Sequence, residues 1–227
     1  MSIIFYALLG GILPALLWLW FWLKEDQHPE PRSSLIFSFL AGMGIIILVI
    51  PVEAWIQKNF ASPVHITFFV IFLWALTEEV AKYIAAYFSS LRRRVTNEPI
   101  DPVIYLITTA IGFAALENTL FLIDPISKDL FIQSALTGNM RFIGATLLHV
   151  LSSAVIGMAI GLSFYRSRRI RWQYLCIGIV LATLLHTLFN FFIIQSNGEL
   201  IFVVFSGVWV SIMLLILFFE KVKRIKK

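Results

Sequence analysis

Cysteine is almost absent from this chain, with Cys176 alone among 227 residues. A single thiol excludes an intrachain disulfide and any cysteine-based metal cluster, and its place inside an apolar run reads as core packing. Charge is scarce as well: 14% of residues are Asp, Glu, Lys or Arg, against 59% hydrophobic. That balance excludes an ordinary water-soluble domain, and the apolar runs are too long for the strands of a closed barrel. No polar stretch is long enough for an extramembrane domain, so any chemistry has to take place in or beside the bilayer. A basic leader region and a small-residue cleavage site are also lacking at the start, so the first apolar run reads as a permanent helix. The expectation is an all-α polytopic membrane protein, a single domain over residues 1–227.

What the chain has is a series of apolar runs, each near the roughly 20 residues that cross a hydrocarbon core of about 30 Å. Seven spans are expected, at about 3–23, 33–52, 64–88, 102–123, 141–165, 172–194 and 199–219. Between the second and third lies an amphipathic connector from Glu53 to Pro63, and between the fourth and fifth a connector from Asp124 to Asn139 with room for a short interfacial helix. Asp101 and Pro102 read as the cap and first residue of the fourth span, and Gln195-Ser196-Asn197-Gly198 as a turn. Seven spans put alternate loops on one side. The loop at 24–32, the loop near Arg92, the loop at 166–171 and the tail together hold fourteen Lys and Arg, against three (Lys58, Lys128 and Arg141) on the other side. This bias predicts an outside N-terminus and a cytoplasmic C-terminus. It also accounts for the net charge of +5 through topology and anionic lipid, with no call for nucleic acid.

Against that background the run Leu73-Trp74-Ala75-Leu76-Thr77-Glu78-Glu79-Val80-Ala81-Lys82-Tyr83 is conspicuous. Each charge at mid-span costs about 2.5–3.5 kcal/mol on insertion scales, so such groups turn inward, pair with one another and carry function. On a helix Glu78 and Lys82 share a face one turn apart, and Glu79 is within i,i+3 reach of the same lysine. One lysine does not neutralise two glutamates. Further polar residues stand at overlapping depths: Glu117 and Asn118 in the fourth span, His149 in the fifth, His186 and Asn190 in the sixth. In the fifth span Ala145, His149, Ser153, Gly157 and Gly161 recur every fourth residue, a small-residue stripe that lets a neighbouring backbone approach.

Bland readings exist for each. Glu78 and Lys82 can form a plain ion pair, a buried histidine can be structural, and Asn118 and Asn190 can be interhelical glue. Yet Glu78, Glu79 and Glu117 with Lys82 sum to a formal charge of −2, which a low-dielectric interior does not hold uncompensated. Either protons or a divalent cation must be present. Glu117, His149 and His186 would make a two-His, one-Glu zinc shell, and either solution activates water. Two other classes fit the same residues: a proton-coupled transporter, which a discontinuous helix or an inverted repeat would favour, and a non-catalytic membrane scaffold.

Glu78-Glu79-x-x-Lys82, Phe113-x-x-x-Glu117-Asn118, His149 with Gly157 eight positions on, and His186-x-x-x-Asn190, in that order on four spans, resemble the motif series of the PrsW family of intramembrane proteases, relatives of the CAAX-prenyl endopeptidases. Asp26 and Pro29-Glu30-Pro31 resemble the family as well, so the likeness covers nearly the whole chain. The basic residue comes one place earlier than in the prenyl endopeptidases, and Glu117 stands where they have a histidine. The resemblance implies hydrolysis of a peptide bond in a single-span membrane protein, of the anti-sigma-factor type. It also implies roles: Glu78 as the water-activating base, Glu79 assisting or paired to Lys82, Glu117 and His149 orienting water or binding metal, and His186 with Asn190 polarising the scissile carbonyl.

Overall fold

The computed structural model describes residues 3–24, 26, 28–61, 66–196 and 199–225. Val64 and His65 of the expected third span, Asn197 and Gly198 of the expected turn, and the last two lysines lie outside the described residues. Eight α-helices and no strands are found among them: α1 Ile3–Leu23, α2 Arg32–Phe60, α3 Phe68–Ala86, α4 Asp101–Ser127, α5 Phe131–Met140, α6 Thr146–Leu162, α7 Arg168–Gln195 and α8 Ile201–Lys223. Five-residue π-helical turns follow α3 (Tyr87–Leu91) and join α5 to α6 (Arg141–Ala145).

Polarity is arranged inside out, as lipid requires of a membrane protein. Leu17, Ile47, Leu48 and Phe202 are exposed, whereas Glu78, Glu79, Lys82, Asp101, His149 and His186 are buried. Six helical segments are long and apolar enough to cross a membrane: α1, α2, α4, the α5–α6 rod from Phe131 to Leu162, α7 and α8. The sequence led us to expect seven. α3 is the one that falls short on apolarity, because Glu78, Glu79 and Lys82 crowd its 19 residues.

α4 is the axis of the bundle. Every residue from Asp101 to Ala115 is buried, and α1, α2 and α6 make their largest packing surfaces against it. Two glycines set the α2–α4 distance reciprocally. A Cβ on Gly112 would lie 2.0 Å from the Phe39 carbonyl oxygen, and one on Gly42 would lie 2.0 Å from that of Thr109. The small-residue stripe of α6 meets the start of α4 in the same way: a Cβ on Gly157 would sit 2.6 Å from the Cα of Val103.

Three local expectations change and one holds; Cys176, expected in the core, is exposed on α7. α2 continues through Pro51 to Phe60, so the residues from Glu53 expected as a connector are helical, consistent with the tolerance of membrane helices for proline. The short helix expected in the 124–139 connector is α5, which runs straight into α6 through the π turn. Asp101 does not cap its own helix; its Oδ2 accepts from the amides of Asn97 and Glu98 in the preceding loop, both at 2.7 Å. At the same end of the bundle Tyr105 donates to the carboxylate of Glu30, fastening the first loop to α4.

Candidate hydrolytic centre

α3 contributes Glu78, Glu79 and Lys82 from two adjacent faces of one turn, and α4, α6 and α7 supply the groups they meet. Lys82 Nζ, fully buried, donates to Glu79 Oε1 at 2.6 Å and to His149 Nδ1 at 3.0 Å, and stands 4.0 Å from Glu78 Oε2. Glu79 is saturated: Oε1 also accepts from Ser152 at 2.7 Å and from His186 Nδ1 at 2.8 Å, and Ser153 reaches Oε2 at 3.3 Å. Glu78 is different. Its Oε2 is buried with no hydrogen-bond partner and faces His149 Nδ1 at 3.7 Å and His186 Nε2 at 3.9 Å.

The tautomers follow from the partners. A carboxylate only accepts and an ammonium only donates, so His149 carries its proton on Nε2, which donates to Glu117 Oε2 at 2.9 Å, and accepts from Lys82 at Nδ1. His186 carries its proton on Nδ1, given to Glu79, and has a lone pair on Nε2. Each imidazole is thus held by a carboxylate on one nitrogen and offers the other toward Glu78. This is the outer-shell pattern of metal-ligating histidines.

Ligand atoms of Glu78, His149 and His186 all lie within 4.8 Å of one another. The residues fit a metal ion: two imidazoles and a carboxylate are a ligand set of catalytic metal sites, and the orphaned Glu78 oxygen between them is the atom that lacks a partner. The set expected from the sequence had Glu117 in place of Glu78. In the structure Glu117 stands behind His149, on the nitrogen that faces away from Glu78, and is engaged by Arg141 Nη2 at 2.5 Å. With an ion held by Glu78, His149 and His186, the His149 Nδ1 now bonded to Lys82 would serve as a ligand, and Lys82 would keep its bond to Glu79.

Beside this centre lies a cavity of about 670 Å³ whose wall includes Glu53, Glu78, Glu117, Arg141 and Asn190. Asn118 is bonded to Thr146 and Arg141 rather than to the cavity. The structure therefore brings Glu78, Glu79, Lys82, Glu117, His149 and His186 together, with Asn190 on the adjoining wall and Asn118 one layer back. Sequence reasoning gave four residues no part in the site. Glu53, which shares the cavity wall with Glu78, stood in the expected connector, although Ile46, Val49 and Glu53 have the spacing of one helix face. Arg141 was counted only as an outer charge, and Ser152 and Ser153 are ordinary in membrane helices. With one more acid and one more base, the formal charge is still −2.

The PrsW family intramembrane metalloprotease profile matches residues 30–218. Curated proteins named Protease PrsW are similar over most of their lengths: that of Bacillus subtilis is 25% identical over 82% of this chain and 82% of its own. Its Geobacillus kaustophilus counterpart is 24% identical over 98% of this chain and 92% of its own, and the Clostridioides difficile protein 26% identical over 80% and 76%. No solved structure matches.

Proposed function

The chain belongs to the PrsW family of intramembrane metalloproteases, and from that premise we propose that it is a zinc-dependent peptidase that cuts a single-span membrane protein of the anti-sigma-factor type. The observation that carries the reading is the orphaned Oε2 of Glu78 between two imidazoles whose far nitrogens are each fixed by a carboxylate. Glu78, His149 and His186 would hold the ion, which would make Glu78 a ligand in place of the base expected for it. Zinc, when bound, lowers the pKa of a water and polarises a carbonyl.

The chain's own residues do the rest. Glu79 orients His186, and Lys82 compensates Glu79 inside the bundle. Glu117 orients His149 and is itself engaged by Arg141. Glu53, on the cavity wall and in no ion pair among the described residues, takes the proton of the attacking water and hands it to the leaving amine. Asn190 donates to the scissile carbonyl oxygen. α3 is the seventh span, its charged faces turned to protein, and the N-terminus lies outside with the C-terminus in the cytoplasm, as the basic loops direct. α3 and α4 run unbroken through the site, without the discontinuity that a transport reading would favour.

The test is reconstitution of wild type and Glu78→Gln in liposomes with single-span substrates, with and without a chelator. Cleavage by wild type, lost in Glu78→Gln and on chelation and restored by Zn2+, is the expected result. Substrates left intact by wild type across metals and substrate panels would remove the proposal, and chelator-resistant cleavage would remove its metal.

A further inference from the structure

Arg141 opens the π-helical turn between α5 and α6, a kind of turn that is rare within helices and frequent at functional sites. Its guanidinium grips α4 three ways. Nη2 donates to Glu117 Oε2 at 2.5 Å, Nε donates to Asn118 Oδ1 at 2.6 Å, and the group stacks 3.8 Å from the centroid of Phe121. The Asn118 amide in turn donates to Thr146 Oγ1 at 3.0 Å, so Asn118 is held from both ends of the π turn. Planar, two-point recognition of this kind fixes direction as well as distance, which an ammonium does not do.

The oxygen that Arg141 holds is the one that His149 Nε2 uses, at 2.9 Å. The Glu117 side chain is 22% exposed on the cavity wall, so without the guanidinium it is free to swing into the cavity and take water in place of imidazole. Lys82 braces the opposite edge of the ring at Nδ1, the nitrogen that would serve as a ligand on the metal-dependent reading. Phe113 and His186 pack against the ring, but Glu117 would then be its hydrogen-bond partner on Nε2, and among the described residues only Arg141, at 17% exposure, holds Glu117 by an ion pair from outside the centre.

We propose that Arg141 is a positioning residue for the hydrolytic centre: by holding Glu117 on His149 Nε2, it keeps the Nδ1 edge of that imidazole turned toward Glu78 and His186. The inference rests on the metal-dependent reading above for the use made of that edge, and on the geometry alone for the hold itself. A plain clasp between α4 and α6 would add stability without governing His149.

The two can be separated in nanodiscs with 15N-labelled histidine, the chain's other two histidines, His28 and His65, being replaced by Gln. In wild type the Nε2 proton of His149 is downfield and protected from water exchange. In Arg141→Met it exchanges freely, and affinity for Co2+, used as the probe ion, falls about 10- to 100-fold. Arg141→Lys, which keeps the charge without the fork, recovers part of both, and it carries the comparison if Arg141→Met does not fold. Wild-type proton exchange and wild-type Co2+ affinity in a folded Arg141 variant overturn the proposal. Loss of proton protection in the variant, with no Co2+ uptake by wild type, supports the hold on His149 and overturns the metal reading alone.

Discussion

Lys82 has no water to fall back on: its ammonium is fully buried, with Glu79, Glu78 and His149 around it. Breaking a buried pair by removing one partner leaves the other charge uncompensated, at a cost of about 3–5 kcal/mol. Lys82→Met is therefore expected to lower thermal stability in detergent sharply, and Lys82→Met with Glu79→Gln to recover much of the loss; equal stability of the single variant and wild type would contradict the pairing. Glu53→Gln is expected to leave Co2+ binding intact while lowering kcat by about 10²- to 10⁴-fold, whereas Glu78→Gln loses both. Glu30 makes a prediction outside the bilayer. Burial first, and then the nearby Asp101 and Asp26, push its carboxyl up to about 8, with the Tyr105 hydroxyl opposing. A carboxyl whose folded pKa is raised favours the folded state most when protonated. Its contribution is complete below the ordinary 4.5 and is lost as pH climbs through about 8. The melting temperature should fall over that window, and Glu30→Gln should flatten the fall. At this scale the sequence was legible wherever charge interrupts an apolar run, as at Glu78, Glu79, Lys82 and Glu117. It was illegible at Glu53 and Arg141, which sit toward the ends of such runs, where charge is ordinary.

At the scale of helices, spacing does the work. α2 and α4 touch backbone to backbone at Gly42 and Gly112, and a methyl at Gly112 meets a carbonyl oxygen, which has no rotamer with which to yield. Gly112→Ala is expected to cost about 1–3 kcal/mol and to disturb Phe113 and Glu117 one turn on. Gly44→Ala, with nothing within 4 Å of its would-be Cβ, is the control and should be near neutral. A thermal melt of both in detergent checks this. The close approach of α6 was legible in its small-residue stripe, since four-residue spacing fixes one face. The continuation of α2 past Pro51 was not, because proline and two charges after an apolar run read as an exit from the membrane. Nor was the π turn at Arg141, since one extra residue in a helical turn leaves no mark on hydropathy.

For the molecule as a whole, the basic loops predict its sidedness. Introduced cysteines in a Cys176→Ala background should report it. Lys128→Cys is expected to react with an impermeant maleimide from outside intact cells, and Arg168→Cys only after permeabilisation; the reverse pattern would invert the topology. All-helical architecture could be read from composition alone, but the count of spans turned on α3, whose charges argue against lipid as strongly as its length argues for it. That helix has a consequence for biogenesis. The groups that hydrogen-bond it from other helices, Ser152 and His186, are encoded 73 and 107 residues after Glu79. On the seven-span reading, α3 enters the translocon while they are still being made, with three charges at a penalty of about 2.5–3.5 kcal/mol each. It is then expected to stay beside the insertion machinery until α6 and α7 arrive, which would complete the reaction centre and the helical bundle in the same late event.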